Sequence, residues 1–260
     1  MTRRRWLADE VSGNRAALTG AHAEHLAQVL RARVGQEFDV ATAAGVFRGR
    51  VVKVADQRVE FELGEPLRTA AAHGITLALA IFKFDRMEWA IEKCTELGVS
   101  AIVPLIASRS EKHLVAAAGK RRERWQRIAR QASEQSRRDT LPEIMPPMKL
   151  KEAAALPGEM RLVLAEAEAE VMLAEALGDR PPASIVLAVG PEGGWTGEEL
   201  QCLRSSGWIA ASLGETILRA ETAAIAGIAI VCAGRRHDPN HHEGLEGIRR
   251  KASESPLRDV

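Results

Sequence analysis

From Ile75 to Ala233, short apolar runs alternate with segments patterned as helices, and this restricts the fold more than any other feature. Ile75–Phe82 has the look of a buried strand, and Val99–Ile106, Arg161–Ala165, Ile185–Val189 and Trp208–Leu213 also read as strands. Met87–Leu97 places Met87, Ala90, Ile91, Cys94 and Leu97 on one helical face and stops at Gly98; Arg121–Arg138 reads as a long helix. Thr196 and Glu199 have the T-x-x-E spacing of a capping box, which opens a helix to about Ser206. Ala220–Ala233 is small or apolar on nearly every side, the pattern of a buried helix. Apolar strands separated by helices predict an α/β domain with a mostly parallel sheet covered by helices.

The first seventy or so residues have a different rhythm. Leu26, Val29 and Leu30 recur at helical spacing between Ala21 and Arg33, with Gly35 as the stop. Glu37–Val40, Val46–Val52 and Arg58–Leu63 then alternate as short strands, which suggests a small β-barrel. Gly64–Pro66 and the Ala-rich stretch through His73 read as the connection onward. The expected organisation is a β-barrel domain over 1–72, an α/β domain over 73–234 and a polar mobile tail over 235–260.

Charge and cysteine usage narrow the function classes. The basic residues after Met1 lack a following apolar run, so no secretory leader is expected, and no stretch approaches the roughly 20 apolar residues of a membrane span. A cytoplasmic protein is the expectation. Cys94, Cys202 and Cys232 are far apart and form no C-x-x-C pair, so they read as reduced thiols. His237, His241 and His242 lie in the polar tail without a cysteine near them, and no metal site is expected. The net charge of +1 hides an uneven distribution: residues 109–151 carry 12 Lys or Arg against 5 Asp or Glu. Such a segment is either a solvated helix face or a surface that neutralises phosphates.

Two loops carry the chemistry. Gly190-Pro191-Glu192-Gly193-Gly194 follows a strand and precedes a capped helix, where α/β proteins place ligands and where glycine lets backbone approach them. It matches neither G-x-G-x-x-G nor the P-loop string, so a dinucleotide or nucleoside triphosphate held by those means is disfavoured, and a structural turn is the alternative. The second loop runs from Leu213 through Arg219 into the buried helix, with Arg219 and Glu221 at its mouth. They form a structural ion pair or a catalytic pair. In the long helix, Trp125, Ile128 and Ala132 face the core, while Gln131, Glu134, Gln135, Arg137 and Arg138 suit either water or RNA.

Taken together, Lys83-x-x-Arg86-Met87-Glu88, Lys93-x-x-Glu96-Leu97-Gly98-Val99, Pro104, Glu134-Gln135-Ser136-Arg137, Gly190–Gly194 and Leu213-Gly214-x-x-Ile217-Leu218-Arg219-x-Glu221-Thr222-Ala223 resemble the bacterial 16S ribosomal RNA (uracil-N3) methyltransferases of the SPOUT superfamily. His25-Leu26-x-x-Val29-Leu30-Arg31 with Gly35 is similar to their N-terminal PUA-like RNA-binding domain. The resemblance runs from about Arg3 to Gly234. It implies a trefoil-knotted parallel sheet, an exception to the rule against knots, and a homodimer. It also implies that S-adenosyl-L-methionine is gripped by Gly190, Pro191, Glu192, Gly193, Gly194, Leu213, Gly214, Ile217 and Leu218, with Leu164 beside them. Contacts to 16S rRNA or the small ribosomal subunit would come from Arg3, Arg4, Arg31, Lys83, Arg86, Gln135, Arg137 and Arg138. The chain departs from the family at Thr216, where a basic residue is common, and at Phe84, where a glycine is.

Uracil N3 is a poor nucleophile until its proton leaves, so the protein must position the base and assist deprotonation. Arg219 is the expected stabiliser of the developing uracil anion, and Glu221 either orients Arg219 or accepts the proton. The alternatives are a SPOUT methyltransferase for another RNA or base, and a non-catalytic RNA-binding protein of ribosome assembly. The two intact loops speak against the second.

Overall fold

The computed structural model describes residues 5–42, 44–67, 74–136, 138, 140–165 and 171–234. Arg3, Arg4, Arg137 and the tail from 235 lie outside the described residues.

The N-terminal part is a six-stranded sheet: β1 (Arg5–Leu7), β2 (Glu10–Ser12), β3 (Arg15–Thr19), β4 (Glu37–Thr42), β5 (Gly45–Ala55) and β6 (Arg58–Pro66). The strand order is β1-β4-β5-β6-β3-β2, with only β1 and β4 parallel. Only Ala8 and Asp9 separate β1 from β2, so one short segment carries both ends of the order. Alternate residues point inward and bury Trp6, Leu18, Val40, Val51, Val59 and Phe61 together with Leu26. At Gly49 a Cβ would lie 2.5 Å from Val40 Cγ2, so β5 passes β4 only because it has no side chain there.

The early helix differs from the expectation. α1 (Gly20–Glu24) runs into a π-helical turn (His25–Val29), closed by Leu30 N–H donating to His25 O at 3.1 Å. Arg31 then takes a positive φ of 51°, so the chain turns four residues before Gly35. β6 likewise runs on through Gly64 and Glu65 to Pro66, because Pro66 still pairs with Phe47 across a register shift.

The second part comprises β7 (Gly74–Ala80), α2 (Phe84–Leu97), β8 (Ala101–Ile106), α3 (Lys112–Gln135), β9 (Glu143–Ile144), β10 (Met148–Lys149), α4 (Leu150–Ala153), β11 (Met160–Leu164), α5 (Leu173–Leu177), β12 (Ser184–Val189), α6 (Gly197–Ser205), β13 (Ile209–Ala211) and α7 (Ala220–Gly234). Its strands are all parallel in the order β10-β8-β7-β12-β11-β13, with β9 also on β8. The expected parallel α/β sheet is thus observed.

Both faces are buried, which explains strands without polar alternation. Ile75, Leu77, Leu79, Ile185, Leu187 and Val189 face one core with α2, α3, α5 and α7. Ala78, Ala80, Val186 and Ala188 face the other, where Trp195, Leu203 and Trp208 fill the space above small residues. α3 starts nine residues earlier than the basic run suggests, because Leu114 and Ala118 continue the buried stripe of Trp125, Ala129 and Ala132.

The two sheets meet through a charged cluster. Arg130 on α3 donates to Asp9 Oδ1 at 2.7 Å, and His22 Nε2 lies 3.1 Å from Glu134 Oε1. Thr19 N–H also donates to Asp9, at 2.8 Å. Among the described residues, no helix is long and apolar enough to cross a membrane.

Candidate functional site

Three strand ends build the site. β11 lies between β12 and β13, and the register sets Leu164 beside both Val189 and Ala211. The chain therefore leaves the sheet side by side at 164, 189 and 211, at the carboxyl edge where open α/β sheets bind ligands. Between these exits opens a cleft of about 570 Å³. Its walls include each residue expected to grip the cofactor: Leu164, Gly190, Pro191, Glu192, Gly193, Gly194, Leu213, Gly214, Ile217 and Leu218.

Gly190 needs its glycine for a neighbour within the protein. A Cβ there would lie 3.1 Å from the indole of Trp195, which is buried and donates its Nε1–H to Leu164 O at 2.9 Å. The turn closes with Gly194, at a φ of 71°, donating its N–H to Pro191 O at 2.8 Å. The predicted capping box follows: Glu199 N–H donates to Thr196 Oγ1 at 3.2 Å, and Thr196 N–H to Glu199 Oε2 at 2.8 Å. The same buried carboxylate accepts from Ser108 N–H at 2.7 Å, which ties the loop after β8 to the start of α6.

That loop presents a residue the sequence reading missed. Arg109 Nη1 donates to Gly193 O at 2.6 Å, and its aliphatic stem packs on Gly193. Its position just beyond the carboxyl end of a strand was the available signal; nothing local said which loop it would meet.

The second loop is also braced. Gly214 N–H donates to Ser212 Oγ at 3.1 Å with φ at 137°, and Ser212 O accepts from Leu173 N–H at 2.8 Å. Ile217, although aliphatic, is 80% exposed at the cleft mouth. Such exposure suits a residue that closes on a ligand or partner.

The charged residues depart from the expected pairing. Arg219 lines the cleft and is exposed. Glu221 is buried, and among the described residues it makes no ion pair with Arg219. It faces Arg86 instead, Oε1 lying 3.8 Å from Nε. Arg86 also donates through Nη1 to Glu192 in the glycine loop. Helix geometry explains the change: Glu221 is in the first turn of α7 and points into the protein toward α2, while Arg219 precedes the helix.

The expected RNA contacts scatter. Arg31, Lys83 and Gln135 are exposed, and Arg86 lines the cleft. Arg138 turns inward and donates to Thr95 O at 2.7 Å; burial pushes its pKa down to about 10, so it stays charged near neutrality. Thr95 O, near the end of α2, accepts this bond alongside the one from Gly98 N–H at 3.0 Å. Several other cations of the basic segment make internal contacts: Arg124 donates to both oxygens of Glu88, and Arg122 donates to Ile144 O. Among the described residues no cysteine forms a disulfide; Cys94 and Cys232 are buried, and burial raises the Cys94 thiol well above its ordinary value.

Residues 70–232 match the family described as an RNA methyltransferase domain. The ribosomal RNA small subunit methyltransferase E of Synechocystis sp. is 35% identical over 221 residues, 83% of this chain and 72% of that one. Its counterpart in Bacillus subtilis is 30% identical, over 80% of this chain and 85% of its own. The crystal structure of a ribosomal RNA small subunit methyltransferase E from Neisseria gonorrhoeae bound to S-adenosyl methionine matches with a TM-score of 0.77 at 34% identity, covering 89% of this chain and 98% of that one. With its glycine loop and braced second loop facing each other across one cleft, the chain belongs to the ribosomal RNA small subunit methyltransferase E family.

Proposed function

We propose that this protein methylates 16S ribosomal RNA of the small subunit at uridine N3, with S-adenosyl-L-methionine as methyl donor. The observation that carries the reading is the cleft formed by Gly190–Gly194 and Leu213–Leu218 beside Leu164, in a chain of this family.

The residues fit the cofactor. The cleft volume falls in the usual range of small-molecule sites, roughly 300–1,000 Å³. Leu164, Leu213, Ile217, Leu218 and Trp195 offer apolar surface to a purine, and backbone groups of both loops offer hydrogen bonds. The carboxylate of Glu215, on the same walls, suits a ligand with ammonium and sulfonium charges. When bound, the cofactor supplies a methyl group already activated as a sulfonium.

The protein's own task is then to orient the base and manage its proton and charge. Arg219, exposed on the cleft wall, is the cation that meets the anion developing on the uracil ring. Arg31, Lys83 and Gln135 are the described candidates for RNA contact, and Arg3, Arg4 and Arg137 complete that set. The N-terminal sheet is read as a PUA-like RNA-binding barrel, supported by the two-residue link between its end strands. The loop after β13 is read as the crossing of a trefoil knot, supported by the pairing of Ser212 with Met172 before α7 turns back to pack on α2. Domain limits of 1–72, 73–234 and 235–260, a homodimer and a cytoplasmic location complete the reading.

Transfer of labelled methyl from S-adenosylmethionine to naked 16S RNA and to assembled small subunits, followed by nucleoside analysis, tests it. N3-methyluridine is the expected product. A different methylated nucleoside removes the target, and no transfer to either acceptor overturns the reading. Arg219→Ala is expected to cut turnover by about 10²-fold or more with cofactor affinity nearly unchanged.

A further inference from the structure

Two features remain outside that mechanism: the buried carboxylate of Glu221 and the arginine after β8. Glu221 is 4% exposed, and its Oε2 is buried without a hydrogen-bond partner among the described residues. It is absent from the cleft wall, and its ion-pair partner is Arg86 at 3.8 Å. A carboxylate so placed does not reach a base lying in the cleft. It can, however, fix the guanidinium in front of it, since charges removed from water are weakly screened.

Arg86 belongs to α2 and bonds Glu192, a residue of the glycine loop. Arg109 comes from a different strand end and bonds Gly193 O, one residue further along the same loop, at 2.6 Å. Each arginine is held from behind. Glu221 faces Arg86, while the Arg109 segment is pinned by Ser108 N–H on Glu199 at 2.7 Å and by Ser110 Oγ on Ile81 O at 2.7 Å. The loop closes its own turn with Gly194 N–H on Pro191 O at 2.8 Å, and the two arginines add contacts from outside beside Gly193 and Gly194, which have no side chains.

We infer that Arg86 and Arg109 form a clamp that holds the glycine loop in its binding conformation before cofactor arrives, and that Glu221 is a positioning residue anchoring Arg86. The inference rests on the reading of the cleft as the S-adenosylmethionine site and gives Glu221 a role different from proton acceptor. A preorganised loop binds more tightly because less ordering cost remains at binding. Loosening the clamp therefore weakens the cofactor more than it slows the chemical step.

The test measures S-adenosylmethionine binding by calorimetry and hydrogen exchange at residues 190–195 in ligand-free protein. It compares the full chain with Glu192→Gln, Arg109→Met, Arg109→Lys and Glu221→Gln. Loss of one charge-assisted bond is expected to raise the cofactor Kd about tenfold, with faster exchange at 190–195 and partial rescue in Arg109→Lys. In Glu221→Gln the cofactor KM rises by more than kcat falls, and the pH profile of kcat keeps its shape. If Glu221→Gln binds cofactor normally but loses kcat and the acidic limb of its profile, the residue is a proton acceptor and the anchor role is overturned. Should Glu221→Gln fail to fold, Glu192→Gln and Arg109→Met decide the matter from the exposed side. Unchanged Kd and exchange in both overturns the clamp. A wild-type chain that binds no S-adenosylmethionine overturns the reading of the cleft itself.

Discussion

Glu199→Ala tests how the site is braced. The buried carboxylate accepts from Thr196 N–H at 2.8 Å and from Ser108 N–H at 2.7 Å, so one side chain both caps α6 and ties it to the loop after β8. Losing the cap interaction costs about 1 kcal/mol. The charge-assisted bond from Ser108 is worth about 1.5–3 kcal/mol, toward the lower end because Ser108 is exposed and water can replace the carboxylate. The sum is about 3 kcal/mol. With an unfolding entropy of about 2 cal/mol/K per residue, the melting temperature falls by about 5–6 °C. Glu199→Gln keeps one acceptor oxygen but turns an NH₂ toward the other N–H, so its melting point falls between those of wild type and the alanine variant. Thermal denaturation followed by far-ultraviolet circular dichroism reads both. The effect also reaches the site, because Ser108 precedes Arg109: cofactor affinity declines in the same order. A Glu199→Ala protein that melts with the wild type would show that the carboxylate carries no such brace.

Three other perturbations follow from the geometry. Gly190→Ala puts a methyl 3.1 Å from the Trp195 indole, so the ring, held by its bond to Leu164 O, must give by a few tenths of an ångström. Overpacking of this kind costs about 1–3 kcal/mol, and weaker cofactor binding with a shifted tryptophan emission is expected; identical spectra and affinity would contradict the argument. Trp125→Ala removes a fully buried ring that packs edge-on against Phe84 at 5.8 Å and joins α3 to α2, at a cost of about 3–5 kcal/mol in denaturant unfolding. Because burial raises the Cys94 thiol, raising the pH from about 7 to about 9 leaves it protonated. A disulfide reagent then titrates the half-buried Cys202 in native protein and all three thiols after unfolding; fast reaction of Cys94 in native protein would refute this.

Features with a local cause were legible along the chain. Apolar runs such as Ile75–Ala80 are strands because both faces are covered, and the T-x-x-E box starts α6 where its two residues require it. The place of the glycine loop after a strand was legible, and the structure sets that loop on the cleft wall. Less local features were not legible: α3 extends nine residues further back because Leu114 and Ala118 find the core, and Arg138 turns inward to Thr95 O on α2. Long-range packing sets β11 between β12 and β13, which brings the two loops together at Leu164. It alone set Arg109 on Gly193 and Glu221 behind Arg86. Strand order and the contacts it creates join residues dozens of positions apart, and no periodicity within a segment records which distant segment will lie beside it.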